Sequence, residues 1–220
     1  MACVMQTTSD ESRTGARGWT THAIDWFERG AILALYAWLA LRIVGGFVTQ
    51  GGIGNLLLLA SEGLVVFFIL IRRTTSDVSL RAGDWLLAFS ATAAALAVQP
   101  GSRSPLLPPF LLATLLLMGI FVQVHAKLVL ARSFGCVPAN RGLKFAGPYR
   151  YVRYPMYLGY LLSHVAFLLM NPTGWNLGVY VLCYALQVPR LLAEERLLRE
   201  DAEYRDYMAA VRYRLIPGVF

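Results

Sequence analysis

Long apolar runs separated by short polar gaps set the plan of this chain. Ala31 to Val48 is the first run of membrane-crossing length, since about 20 apolar residues rising about 1.5 Å each cross the hydrocarbon. Arg42 lies inside it and must snorkel or pair. After the uncharged Thr49-Gln50-Gly51-Gly52 turn, Ile53 to Ile71 makes a second run. Asp84 to Val98 is a third, rich in alanine and ended by Gln99-Pro100-Gly101. Leu106 to Leu130 is a fourth, with Pro108-Pro109 near its start and Gln123, His125 and Lys127 near its end.

Beyond this the pattern changes twice. Met156 to Met170 is apolar but short, Asn171-Pro172-Thr173-Gly174 reads as a turn, and Leu177 to Leu192 returns. That is a helical hairpin whose first arm barely spans, so its polar base lies at one membrane face. From Glu194 onward, Leu197, Leu198, Tyr204, Tyr207, Met208 and Val211 recur at helical spacing among charges. They predict an amphipathic helix lying on the membrane face or over a site. Leu215 to Phe220 reads as a short extended tail. The expected fold is all-α and polytopic: four N-terminal transmembrane helices, a C-terminal helical hairpin and an amphipathic cytoplasmic helix. Residues 1–28 form a polar tail, 29–130 the four spans and 131–220 the region that carries the chemistry.

Charge gives this plan a direction. Only 15% of the 220 residues are charged, against about a quarter in soluble domains. The net charge of +7 raises nucleic acid as a partner, but the basic residues sit in the gaps between apolar runs. Arg72, Arg73 and Arg81 share a side with Arg132, Arg141, Lys144, Arg150 and Arg153, and with Arg13, Arg17 and Arg29; Arg103 stands alone opposite. By the positive-inside rule both termini and the 131–155 loop are cytoplasmic. No signal-peptide core precedes the first span, and the pattern suits a bacterial inner membrane. The partner is the bilayer, not nucleic acid.

Cys3, Cys136 and Cys183 are far apart, and His22, His125 and His164 are dispersed, so neither a disulfide framework nor a metal site is expected. No dinucleotide or nucleotide glycine loop, zinc-protease helix or nucleophile elbow occurs. Polar residues concentrate instead in two knots. The first is Gly147-Pro148-Tyr149-Arg150-Tyr151-Val152-Arg153-Tyr154-Pro155-Met156-Tyr157-Leu158-Gly159. Pro155 can open a helix, leaving first-turn N–H groups free beside Arg153, a good setting for a carboxylate. The alternative is that Arg150 and Arg153 anchor a helix end to headgroups and the tyrosines form an interfacial belt. The second knot is Pro189-Arg190 with Glu194-Glu195-Arg196. Arg190 and Glu194 stand at i, i+4, as do Glu195 and Arg199; they are either surface pairs or carboxylates that bind an ammonium or a ribose diol. Glu62, deep in the second run, is a costly charge for which Arg42 is a candidate partner. His164 reads as a polar residue satisfied between helices.

Taken together, the first knot, Glu194-Glu195, Tyr204-x-x-Tyr207 and Tyr213-Arg214-x-x-Pro217 resemble the isoprenylcysteine carboxyl methyltransferase family and its phospholipid methyltransferase relatives, over roughly the C-terminal two-fifths of the chain. The resemblance implies an integral-membrane methyltransferase that uses S-adenosylmethionine and a small or lipophilic acceptor: an isoprenylcysteine-like carboxylate, a phospholipid amine or a thiol. It implies a cofactor pocket built from Gly147, Tyr149, Tyr151, Tyr154, Pro155, Tyr157, Leu158, Gly159, Glu194 and Glu195, with Arg153, Arg190 and Glu195 as candidate catalytic residues. No metal is implied. Tyr154 stands where the family motif has histidine; a tyrosine can donate a hydrogen bond there but shuttles protons poorly, with an ordinary pKa of about 10 against about 6.5. Two other readings stay open. Membrane sterol reductases carry a similar C-terminal signature and bind NADPH, and Arg141, Lys144 and Arg150 would suit its phosphate. A non-catalytic membrane protein that retains the fold is the other.

Overall fold

The computed structural model describes residues 23, 25–38, 41, 63–75, 78–95, 97–99 and 104–220. The expected Arg42–Glu62 pair and most of residues 1–24 lie outside the described residues. Within them the chain is helical: α1 (25–38), α2 (63–71), α3 (Ala82–Ala95), α4 (Pro109–Leu130), α5 (Pro155–Met170), α6 (Gly174–Leu198) and α7 (Ala202–Ala210). The described residues contain no strand, only a single backbone bridge between Val78 and Ala139.

Among the described residues, α4 and α6 are long and apolar enough to cross a membrane. The four N-terminal spans are not all visible. α3 has 14 residues, about 21 Å at 1.5 Å per residue, and the first two runs lie partly outside the described residues. α5, with 16 residues, is about 24 Å long, short of the roughly 30 Å of a hydrocarbon core.

The helices pair in an order the hairpin reading did not anticipate. α5 packs along α4, and α6 along α3, while α5 and α6 scarcely touch through their backbones. Glycine decides the first pairing. A Cβ on Gly119 would lie 2.6 Å from the Ser163 nitrogen, and one on Gly159 would lie 2.5 Å from the Gln123 nitrogen. Small residues at a crossing let two backbones approach closely where lipid supplies no hydrophobic drive. α5 and α6 are joined at a distance by aromatic side chains: His164 stacks on Tyr180 at 4.7 Å, and its Nδ1 lies 3.0 Å from the Tyr184 hydroxyl.

Two further expectations are corrected. The amphipathic stretch is not one helix: α6 runs unbroken to Leu198, and α7 starts afresh where the Asp201 side chain accepts the Glu203 N–H at 2.9 Å. Such a cap satisfies a first-turn donor. The tail is not extended either: Leu215 and Ile216 both donate to the Phe220 carbonyl, at 2.8 and 3.0 Å, curling residues 215–220 into a turn.

Candidate functional site

The two helix pairs meet above the first polar knot, and the connections between helices close a cleft there. It is a partly open cleft with both polar and apolar groups on its lining. One wall is the irregular segment from Ser133 to Phe145, the floor comes from Tyr149, Arg153, Tyr154 and Tyr157, the end of α6 contributes Glu194 and Leu198, and α7 covers it with Tyr204 and Tyr207.

Local sequence explains each placement. Gly147 has φ +59°, and a Cβ there would come within 3.1 Å of His125 Nε2 and Val129 Cγ2. Only glycine turns this tightly against the end of α4 at little cost. Pro148 then seeds the short 3-10 turn Gly147–Arg150, which brings Tyr149 inward. Pro155 opens α5 at its first turn, where its missing N–H costs nothing. The N–H groups just before it are used: Arg153 donates to the Tyr213 carbonyl at 2.9 Å and Tyr154 to that of Arg214 at 2.8 Å. The C-terminal segment is therefore part of the floor.

The two adjacent glutamates have different surroundings. Glu195 is 1% exposed and accepts from Arg153, from Arg199 at 3.2 Å and from Arg214 at 2.6 Å. It is an anchor behind the cleft. Glu194 faces the cleft and makes no hydrogen bond or ion pair with any described residue. The Nε atoms of Arg141 and Arg153, both residues of the cleft lining, are buried without an acceptor. A carboxylate without a hydrogen-bond partner among the described residues and two arginines, set among tyrosine rings on the lining, suit a ligand with both an anionic and a cationic group.

The tyrosines are held as donors. The Tyr154 and Tyr204 hydroxyls lie 3.3 Å apart, and the Tyr207 hydroxyl donates to the Tyr149 carbonyl at 2.7 Å. Burial, and then the nearby Glu194 charge, raises the Tyr149 and Tyr154 phenols well above their ordinary pKa. Burial also pushes Tyr204 up to about 12. None of these groups ionises near neutrality.

Of the residues named from sequence, Tyr149, Arg153, Tyr154, Tyr157 and Glu194 line the cleft. Tyr151 lies outside the lining and is 76% exposed; Arg150 is exposed too. Pro155 and Gly147 shape the backbone beneath, while Gly159 serves the α4–α5 crossing and Leu158 is half-buried outside the lining. Arg190 does not pair with Glu194. Its guanidinium donates to the Cys136 carbonyl at 2.8 Å and to Gln187 Oε1 at 3.3 Å, tying α6 to the Ser133–Phe145 wall, and it packs 6.0 Å from the Tyr157 ring centre. The sequence placed Tyr204 and Tyr207 only in a motif on a helix that could lie over a site, and named Arg141 and Lys144 of the wall only for an NADPH phosphate; the rest of the wall, Asn140 included, had no site role. The helical spacing of the two tyrosines was the only signal. Among the described residues no group of three His, Cys, Asp or Glu side chains could hold a metal ion.

The phospholipid methyltransferase family model matches residues 109–202, the segment that runs from α4 to the start of α7 and carries most of the cleft. No curated protein matches the chain.

Proposed function

We propose that this protein is an integral-membrane, S-adenosylmethionine-dependent methyltransferase acting on a lipophilic acceptor drawn from the bilayer. The family match indicates a methyltransferase of the membrane, and α4 and α6 have membrane-spanning length and composition. The observation that carries the cofactor is the charge pattern of the cleft. Arg141 and Arg153 bring two guanidinium groups to the lining for a carboxylate, and Glu194 brings a carboxylate with no hydrogen-bond partner among the described residues for an ammonium or a ribose diol. When bound, S-adenosylmethionine supplies a methyl on a sulfonium; its carbon–sulfur bond breaks as a bond to the acceptor forms, and the positive charge on sulfur is discharged.

The residues of the chain then have to align and to exclude water. Tyr154 and Tyr204 act as fixed hydroxyl donors, not as bases, since both stay protonated. An acceptor that attacks as an anion, a carboxylate or thiolate, needs no proton removed at Tyr154. An amine acceptor has Glu194 as the one carboxylate on the cleft lining. Arg153 and Arg190 orient the floor and the wall, Glu195 through Arg153. The cleft opens among the arginine-bearing connections, so the positive-inside rule supports a cytoplasmic mouth.

The test is calorimetric binding of S-adenosylhomocysteine to the detergent-purified protein, with NADPH in parallel. Micromolar binding of the thioether, lost in Glu194→Gln, is the expected outcome. Preferential NADPH binding would transfer the chain to the reductases, for which Arg141 and Lys144 on the lining are the favouring feature. Binding of neither ligand would end the methyltransferase reading.

A further inference from the structure

We propose that Glu28, on α1 and outside the family match, is a positioning residue for the cleft. It fixes the irregular wall segment from which Arg141 reaches the ligand. This wall has no helix or sheet to hold it. Its main-chain groups are satisfied from elsewhere: the Pro138 carbonyl accepts the Ser79 N–H at 3.0 Å, and the Arg141 carbonyl accepts the Ser133 hydroxyl at 3.1 Å. Buried backbone donors without partners are costly, and here the Glu28 carboxylate supplies the missing acceptors. Its Oε1 accepts the Cys136 and Val137 N–H groups at 3.1 and 3.0 Å, and its Oε2 accepts Arg141 Nη2 at 3.0 Å.

Glu28 is itself 1% exposed, and Arg72 at the end of α2 lies 2.7 Å from its Oε1. One carboxylate therefore joins two N-terminal elements to the wall. Arg141 has little freedom on its other side, because a Cβ on Gly135 would lie 2.0 Å from its Nη1. Its guanidinium is sandwiched between that glycine and Glu28, which fixes where Arg141 sits on the cleft lining. Asp25, one turn earlier on α1, belongs to the same ion-pair cluster but contacts only Arg29 and Arg72, at 2.7 and 2.6 Å. The cluster thus contains one acid that touches the wall and one that does not.

The experiment compares Glu28→Gln, Asp25→Asn and Gly135→Ala in the full-length protein. Hydrogen exchange at the Cys136 and Val137 amides reads the joint without any ligand. Glu28→Gln is expected to accelerate it about tenfold or more, and Asp25→Asn to leave it unchanged. S-adenosylhomocysteine affinity reads the consequence, and this arm alone rests on the proposed cofactor. Glu28→Gln and Gly135→Ala should each weaken binding about tenfold, Glu28→Asp should recover part of the loss, and Asp25→Asn should bind like wild type even where it melts earlier. Unchanged exchange in Glu28→Gln overturns the proposal, as does equal loss of affinity in Asp25→Asn, which would reduce Glu28 to a stabilising ion pair. If the wild type fails to bind the thioether while exchange responds as expected, the cofactor assignment falls and the positioning role stands.

Discussion

Replacing Glu195 with glutamine keeps the shape of the side chain and removes the charge on which three arginines converge. The cost follows from how buried each partner is. Arg153 is 5% exposed at its side chain, Arg214 24% and Arg199 51%. Arg199 can turn to water, and exposed pairs are worth about 0.5 kcal/mol or less. Arg214 recovers part of its hydration. Arg153 cannot, and leaving one buried partner without its counter-charge costs about 3–5 kcal/mol. Because Arg153 Nη2 keeps the Arg212 carbonyl at 3.0 Å, the low end applies, about 3 kcal/mol. For a chain of this size that corresponds to a melting shift of roughly 6–12 °C, readable by fluorimetry in detergent. Arg153 and Tyr154 also carry the backbone bonds to Tyr213 and Arg214, so limited proteolysis should cut residues 211–220 sooner in the variant. Arg199→Gln is the matched control, with a shift near zero. A Glu195→Gln variant that melts with wild type, or an Arg199→Gln variant that loses as much, would refute the assignment of Glu195 as the anchor of the floor.

Glu194→Gln should behave oppositely: thioether binding falls by about tenfold or more, while the melting temperature changes little, because Glu194 makes no hydrogen bond or ion pair with a described residue and only the charges of Arg190 and Arg141 act on it. Tyr154→Phe should cost about 1 kcal/mol through the lost Tyr204 contact, and the wild-type rate should show no tyrosine limb between about pH 6 and 9, both phenols being raised; Tyr154→His should introduce a limb near pH 6.5. Burial alone would raise the Asp25 carboxyl, but the hydrogen bonds and charges of Arg29 and Arg72, in a cluster with Glu28 and Arg141, hold it below the usual range. Its stabilisation is then complete above about pH 5 and is lost as pH falls below about 4. A pH series of melting temperatures checks this: the gap between wild type and Asp25→Asn should close on the acid side, and a gap that widens there would contradict it.

What was legible in the sequence was what lies along one stretch of chain. The apolar runs gave α4 and the two arms that became α5 and α6, and the first knot gave the floor, because Gly147, Pro148 and Pro155 act on their own backbone. Partners were not legible. Gly159 read as a motif residue, yet its surroundings are Gly119 and Gln123 on α4. Arg190 stood four residues from Glu194, a spacing that permits a pair; the Cys136 carbonyl, 54 positions away, holds it instead. Apart from Arg141 and Lys144 the wall segment escaped notice because it has no period of its own; its hydrogen-bond partners lie on α1, on residues before α3, on α6, at Asp201 and on itself.

The Glu194-Glu195 doublet states the same limit most sharply. Adjacent residues on a helix point about 100° apart, so two neighbouring carboxylates cannot share one environment at the end of α6. One rotates onto the buried arginines and the other onto the cleft. The sequence offers two identical acids, and nothing within α6 says which is which. The choice is made by Arg153 and Arg214, which arrive from either side of the floor and claim Glu195. Once they have done so, half-buried Glu194 is left facing the cleft without a hydrogen-bond partner among the described residues, with only the charges of Arg190 and Arg141 acting on it, a setting that suits a cationic ligand. The anchor and the ligand-facing acid are thus one decision, set by how the C-terminal segment docks against the start of α5. It follows that freeing residues 212–215 should disturb Glu194 as well as Glu195, although among the described residues no hydrogen bond or ion pair joins that segment to Glu194.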